Sequence, residues 1–289
     1  AEQNRARVFA ITDSIFMIVV IVGPPLGGWL VDRYGFRFML VCAGLLYVLA
    51  TAIRVGMARL AARSQQTAGE KLSFSNLKTN LGSILAMVLG GGVLTWLLIT
   101  DGVRDLSGSM SFTLLPVYME DIGRMTVTQI GWLSSIMGIA SMASNIPGGW
   151  LADKKGERVA IALGFLFDFA ALVVFLNAAS FWGYAAAWAL FGIGGGVMSP
   201  AYNSLTSKVV PEKVRGTAFG LLSTSLGIFS LPAPAIGARL WESFNPRLPF
   251  MITAAVSLVS ILPVWFKFKL PAQGEGKQST EPAAEPATP

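Results

Sequence analysis

Asp101, Arg104 and Asp105 stand at i, i+3 and i+4 in a long stretch that is otherwise apolar or weakly polar. In a helix that spacing puts all three on one face, with each acid in reach of the arginine. One carboxylate can then be held in an ion pair while the other is free to change protonation as the dielectric around it changes. Asp168 stands apart from them, among Phe165, Phe167 and Phe169. Inside a membrane an ionisable residue costs at least about 2.5 kcal/mol by insertion scales, so each needs a partner or a purpose. The chemistry that suits them is reversible binding of a charged solute, a proton or both; the alternative for the trio is a structural ion pair. Asp13, one or two turns from Arg5 and Arg7, reads as a satisfied interfacial residue. Asn145, Tyr202 and Asn203 offer hydrogen bonds that either line a cavity or join helices.

Other chemistries lack their residues. The chain has no histidine and one cysteine, Cys42, so no disulfide framework, thiolate cluster or imidazole base can be built. No glycine-rich phosphate loop with a lysine is present. The expectation is therefore no enzyme, no metal and no cofactor. The net charge of +6 is spread over short loops rather than one face or tail, so no nucleic-acid partner is expected.

The elements that position these residues follow from composition. Hydrophobic residues make up 53% of the chain and charged residues 13%, against roughly 25% charge in soluble domains. A span of the hydrocarbon core needs about 20 mostly apolar residues. Such runs lie near residues 8–30, 38–57, 94–119, 130–151, 159–178, 183–205, 217–240 and 249–268. They are about twice the length of a barrel strand, so helices are expected and a barrel is set aside. Trp96, Trp132, Trp182, Trp188 and Trp241 read as interface anchors or packing residues, with no substrate role. The stretch 59–81 is polar and reads as a linker, and 271–289, rich in Pro, Glu and Ala, reads as a disordered tail. Lys and Arg concentrate on alternate loops, which places the linker, the Lys154 to Arg158 loop and the C-terminus on the cytoplasmic side. Both flanks being cytoplasmic, residues 82–119 cross once. As one helix they would reach roughly 57 Å, so 82–92 should lie at the interface or beyond it.

An offset of about 210 positions aligns Glu2 with Glu212, Arg5 with Arg215, Pro24 with Pro234, Gly27 with Gly237 and Arg37 with Arg247, without a gap. The first two spans thus repeat the last two, as in transporters built from duplicated halves. Four spans before the second copy have no counterpart at the front, so the expectation is the C-terminal two-thirds of a protein with twelve helices.

Three stretches carry a family resemblance. Gly149, Trp150, Leu151, Ala152, Asp153, Lys154, Lys155, Gly156, Glu157 and Arg158 resemble the cytoplasmic loop signature G-x-L-x-D-R/K-x-G-x-R of the major facilitator superfamily. Gly149 would let two helices approach closely, and Asp153 and the basic residues would form a movable ionic gate near Arg5 to Val8. Gly23, Pro24, Pro25, Leu26, Gly27 and Gly28 are similar to the G-P-x-x-G-G end of a fifth-helix motif of drug:proton antiporters, with Val19 and Ala10 where that pattern has glycines. They read as a helix-packing motif that seals the outer end of a pathway. Pro211, Glu212, Arg215 and Gly216 resemble the connection before the eleventh helix, with Arg215 anchoring the helix entry. Gly28 to Arg37 has the spacing of the loop signature too, but the repeat sets it on the outer side, and the match reads as coincidental.

The resemblance implies an all-α integral membrane protein, a major-facilitator-type helical bundle with about eight membrane helices present. Residues 1–58 would close the N-terminal half, 59–81 link the halves and 82–270 form the C-terminal six-helix bundle. The family's seventh helix lines the central pathway, which favours Asp101, Arg104 and Asp105; its ninth, carrying Asp168, is often peripheral. The implied function is secondary transport of a small solute across the cell membrane, with protons as coupling ion and export as the direction. An uptake symporter for a metabolite or organic anion is the alternative, favoured by Arg104, and a transport-inactive scaffold is the alternative of another class.

Overall fold

The computed structural model describes residues 5–64, 92–210 and 230–268, and all regular structure among them is helical. In chain order the helices are α1 (Arg5–Ser64), α2 (Val93–Phe112), α3 (Leu115–Asp121), α4 (Val127–Lys155), α5 (Glu157–Asn177), α6 (Phe181–Val209), α7 (Ala233–Ser243) and α8 (Leu248–Lys267). Four described stretches, Ile18–Leu60, Glu157–Asn177, Phe181–Val209 and Leu248–Lys267, are long and apolar enough to cross a membrane. The linker from 65, the Pro211 to Thr217 connection with Arg215, and the tail from 271 lie outside the described residues.

Helix breaks follow local chemistry. The expected gap between the first two spans falls at Gly35, where φ is +81° and the α1 helix is interrupted. Glycine takes that left-handed value without a Cβ clash. The span expected over 94–119 is two helices, not one. Pro116 has no N–H to give the Phe112 carbonyl, so α2 stops at Phe112 and α3 starts afresh with Pro116 in its first turn. A second positive-φ glycine, Gly156 at +93°, separates α4 from α5 and lets the chain turn inside the loop signature.

The bundle is held at two levels. At one end Tyr118, Phe175, Tyr184, Trp188 and Phe250 form an aromatic cluster, with the Phe175 ring 4.8 Å from Tyr118 and 5.0 Å from Phe250. At the other, Leu97, Ile161, Phe165, Val197, Leu205 and Val264 pack together. Between these apolar layers, α2 and α8 are joined by a hydroxyl pair, Ser111 Oγ to Thr253 Oγ1 at 2.9 Å, and by the Thr253 hydroxyl donating to the Ser107 carbonyl at 2.7 Å. Small residues set the helix spacing. Gly192 and Gly196 of α6 bring its backbone against Met137 and Ser141 of α4, where no side chain would fit. Gly237 of α7 does the same against Met110 of α2.

The seam between α1 and α4 is built by the same rule. Pro25 cannot supply the N–H that the Ile21 carbonyl would take within the helix, and the Ser135 hydroxyl of α4 donates to that carbonyl instead. One turn on, a Cβ on Gly131 would lie 2.5 Å from the Pro24 carbonyl oxygen. A Cβ on Gly28 would lie 2.6 Å from the Val127 carbonyl oxygen. Two of the four motif residues, Pro24 and Gly28, thus carry the packing; Gly23 and Gly27 have no described atom within 4 Å of such a Cβ.

Candidate functional site

A cavity of about 630 Å³ lies between α2, α3, α4, α5, α6 and α8. Its charged lining is Arg104, Asp105 and Asp168. Phe112, Trp188 and Phe191 give it an aromatic wall, with Phe112 and Phe191 edge to face at 5.5 Å. From α2 the lining residues are Arg104, Asp105, Gly108, Ser109 and Phe112, spaced as one helical face.

Arg104 is the hub of the charges. Its Nη2 lies 3.7 Å from Asp101 Oδ1 and 3.4 Å from Asp105 Oδ1. Its Nη1 donates to the Met198 sulfur at 3.6 Å, and its guanidinium sits 5.6 Å from the centre of the Tyr202 ring. Asp168 is near enough for Arg104 to act on it electrostatically. Two faces of the arginine are therefore distinct: Asp105 and Asp168 share the cavity with it, whereas Asp101 and Tyr202 are outside the cavity lining. The Tyr202 hydroxyl is buried and makes no hydrogen bond to a described residue. Asp101, Asp105 and Asp168 do not converge as metal ligands among the described residues.

The sequence expectations divide accordingly. The trio does share a helical face, and Arg104 and Asp105 point into a cavity. Asp168, expected at the periphery, lines the same cavity because Gly194 of α6 leaves room beside its carboxylate. Asn145 and Asn203 are exposed and away from the lining. Trp188, expected as an interface anchor or packing residue with no substrate role, is 5% exposed and forms part of the wall. Phe112 is the residue a closer count of the α2 periodicity would have found.

In the loop signature, the close approach expected of Gly149 belongs to its neighbour. A Cβ on Gly148 would lie 2.5 Å from Val197 Cα, whereas one on Gly149 would make ordinary contact with Pro200. Lys154 lies over the Trp150 ring at 4.3 Å and Arg158 over Trp265 at 5.1 Å, so both cations rest on aromatic faces. Asp153 is exposed, and the side chains of Arg5 to Val8 that it was expected to approach lie outside the described residues. Glu157, a variable position of the signature with no role expected, is buried and accepts from both Ser204 and Lys208 of α6.

A profile of the Major Facilitator Superfamily matches residues 97–289. A multi-drug resistance efflux pump PmrA homologue of Lactococcus lactis is 24% identical over 255 residues, covering 86% of this chain and 60% of that protein. The quinolone resistance protein NorA of Staphylococcus aureus is 26% identical over 149 residues, 52% of this chain and 38% of NorA. The chain thus spans less than two-thirds of either relative. Among solved structures, an inward-facing bacterial homologue of the iron transporter ferroportin superposes with a TM-score of 0.71 at 18% identity, over 93% of this chain and 64% of that one. The helical architecture, the loop signature and the profile match agree: this chain belongs to the major facilitator superfamily.

Proposed function

We propose that the protein is a multi-pass secondary transporter that exports small amphipathic organic compounds in exchange for protons. The observation that carries this reading is the cavity itself, in which Arg104, Asp105 and Asp168 face the rings of Phe112, Trp188 and Phe191. A solute with a flat apolar body and one charged group finds both kinds of partner there. Aromatic walls hold such a body by edge and face contacts, and a few convergent polar groups fix its orientation. With two carboxylates and one guanidinium on the lining, one carboxylate is neutralised by Arg104. The other is available to a cationic solute or a proton, and competition between the two would couple their movements. The efflux proteins among its relatives support export as the direction.

In this reading residues 1–58 close the N-terminal bundle and 82–270 form the C-terminal one. The lysine-rich and arginine-rich loops face the cytoplasm, and the two bundles rock about the cavity in the cell membrane. A second reading, uptake of an organic anion with protons, is favoured by one observation: the Arg104 guanidinium stands on the lining and could bind a carboxylate. Flux of a panel of cationic dyes and anionic metabolites in vesicles under an imposed proton gradient separates the two. Export predicts cationic dyes moving against the proton flow, and uptake predicts anions moving with it. Transport of neither, at any gradient, would leave only the fold.

A further inference from the structure

The Asp32 carboxylate of α1 accepts the backbone N–H of Thr128 at 3.0 Å, across 96 positions of sequence. Thr128 sits in the first turn of α4, where helical N–H groups have no partner of their own. Thr126 and Gln129 close a capping box on the same turn, and Asp32 takes one of the two donors, those of Val127 and Thr128, that the box leaves over. We propose that Asp32 is the gating residue of the α1 to α4 seam. Its bond to Thr128 holds shut the end of the cavity farthest from the loop signature, and that bond breaks when this end opens.

Three observations support the assignment. First, α4 has two working faces. Gly131 and Ser135 lock it to α1, while Ile130, Ser134 and Met137 line the cavity. Any parting of α1 from α4 therefore moves a cavity wall. Second, the seam is graded. Its inner part is close-packed backbone, with Gly131 against Pro24 and Gly28 against Val127 and the half-buried Thr128, whereas the Asp32 carboxylate beyond them is exposed, so water can replace its bond to Thr128 without stranding a buried charge. The exposed end is where opening costs least. Third, the spacing of Gly28 and Asp32 repeats that of Gly149 and Asp153. Four residues apart, a glycine and a carboxylate share a helical face. At the first pair the helix docked on Gly28 is α4, and its N-terminus meets the Asp32 carboxylate.

This inference rests on the rocking of two bundles proposed above, and its test reads access to the cavity rather than flux. Ser134→Cys, in a Cys42→Ser background, places a thiol on the α4 lining. A membrane-impermeant maleimide is applied to sealed vesicles of each orientation, with Lys154→Cys reporting sidedness. In folded protein, Asp32→Ala should raise the labelling rate about tenfold from the face that carries Asp32 and leave the opposite face unchanged, as expected for loss of a charge-assisted bond. Asp32→Asn, whose amide oxygen still accepts, should raise it roughly threefold by the same reasoning. If the alanine variant fails to fold, the asparagine variant decides. Unchanged labelling from the Asp32 face, or an equal rise from both faces, would overturn the assignment. A protein that moves no solute but shows the one-sided rise would count against the transport reading and leave the gate standing.

Discussion

The Ser135 hydroxyl donates to the carbonyl of Ile21, the group that Pro25 leaves without its helical donor. A proline in a membrane helix frees a carbonyl that lipid cannot satisfy, and here the neighbouring helix satisfies it. Ser135→Ala removes the donor and strands the carbonyl in the seam. The expected loss is about 1 kcal/mol of stability, measured by thermal unfolding in detergent. Ser134→Ala, one position along, removes only a hydroxyl bonded within its own helix to Ile130, and its melting temperature should stay close to that of the parent.

Glycines of α6 offer a sharper contrast. A methyl group on Gly192 or Gly196 would collide with the Met137 or Ser141 carbonyl of α4, while one on Gly195 meets no described atom within 4 Å. Gly192→Ala and Gly196→Ala should each destabilise by about 1 to 3 kcal/mol through overpacking. Gly195→Ala should be neutral or gain up to about 1 kcal/mol from helix propensity. Equal melting temperatures for all three would contradict the packing of α4 on α6.

Glu157 and Lys208 are unequal partners. The glutamate side chain is 8% exposed and the lysine 46%, so removing the lysine opens the carboxylate to the water that already reaches the lysine, while removing the acid strands the Ser204 hydroxyl as well. Glu157→Ala is expected to cost about 1.5 to 3 kcal/mol and Lys208→Ala about 1 kcal/mol or less. A double variant should lose less than the sum, since both residues serve one contact.

Trp188 is the aromatic anchor of the cavity wall. Replacing it with leucine keeps bulk but removes the ring. Binding of a flat aromatic dye should weaken roughly three- to tenfold, the worth of an aromatic pair beyond its area, while an aliphatic solute of similar size should bind nearly as before. Fluorescence titration of the purified protein checks this.

Much of this architecture was legible in the sequence. Apolar runs of membrane length located the helices, and the glycine between the first two runs fell where the helix breaks. Pro116 marks the stop after Phe112 too, although the positive charge of both flanking loops sets it inside one long span. The spacing of Asp101, Arg104 and Asp105 foretold a shared face. It could not tell that Asp105 faces the cavity and Asp101 does not, because that depends on which helices stand beside α2. Asp168 was harder still. Its approach to the cavity is set by Gly194 on another helix, and no local pattern around Phe165 to Phe169 records it. The spacing of Gly28 and Asp32 is visible in the sequence, but the bond of Asp32 is not, its partner being a main-chain amide 96 residues away.

If the acids facing the cavity drive transport, replacing them must show in proton-gradient-driven flux in vesicles, measured for Asp105→Asn, Asp168→Asn and, for comparison, Glu120→Gln at the end of α3. Asp105→Asn and Asp168→Asn should each lower gradient-dependent flux by about tenfold or more, the effect of removing a proton-transferring group, and Glu120→Gln should leave it unchanged. Normal gradient-dependent flux in both aspartate variants would show that these acids do not drive transport.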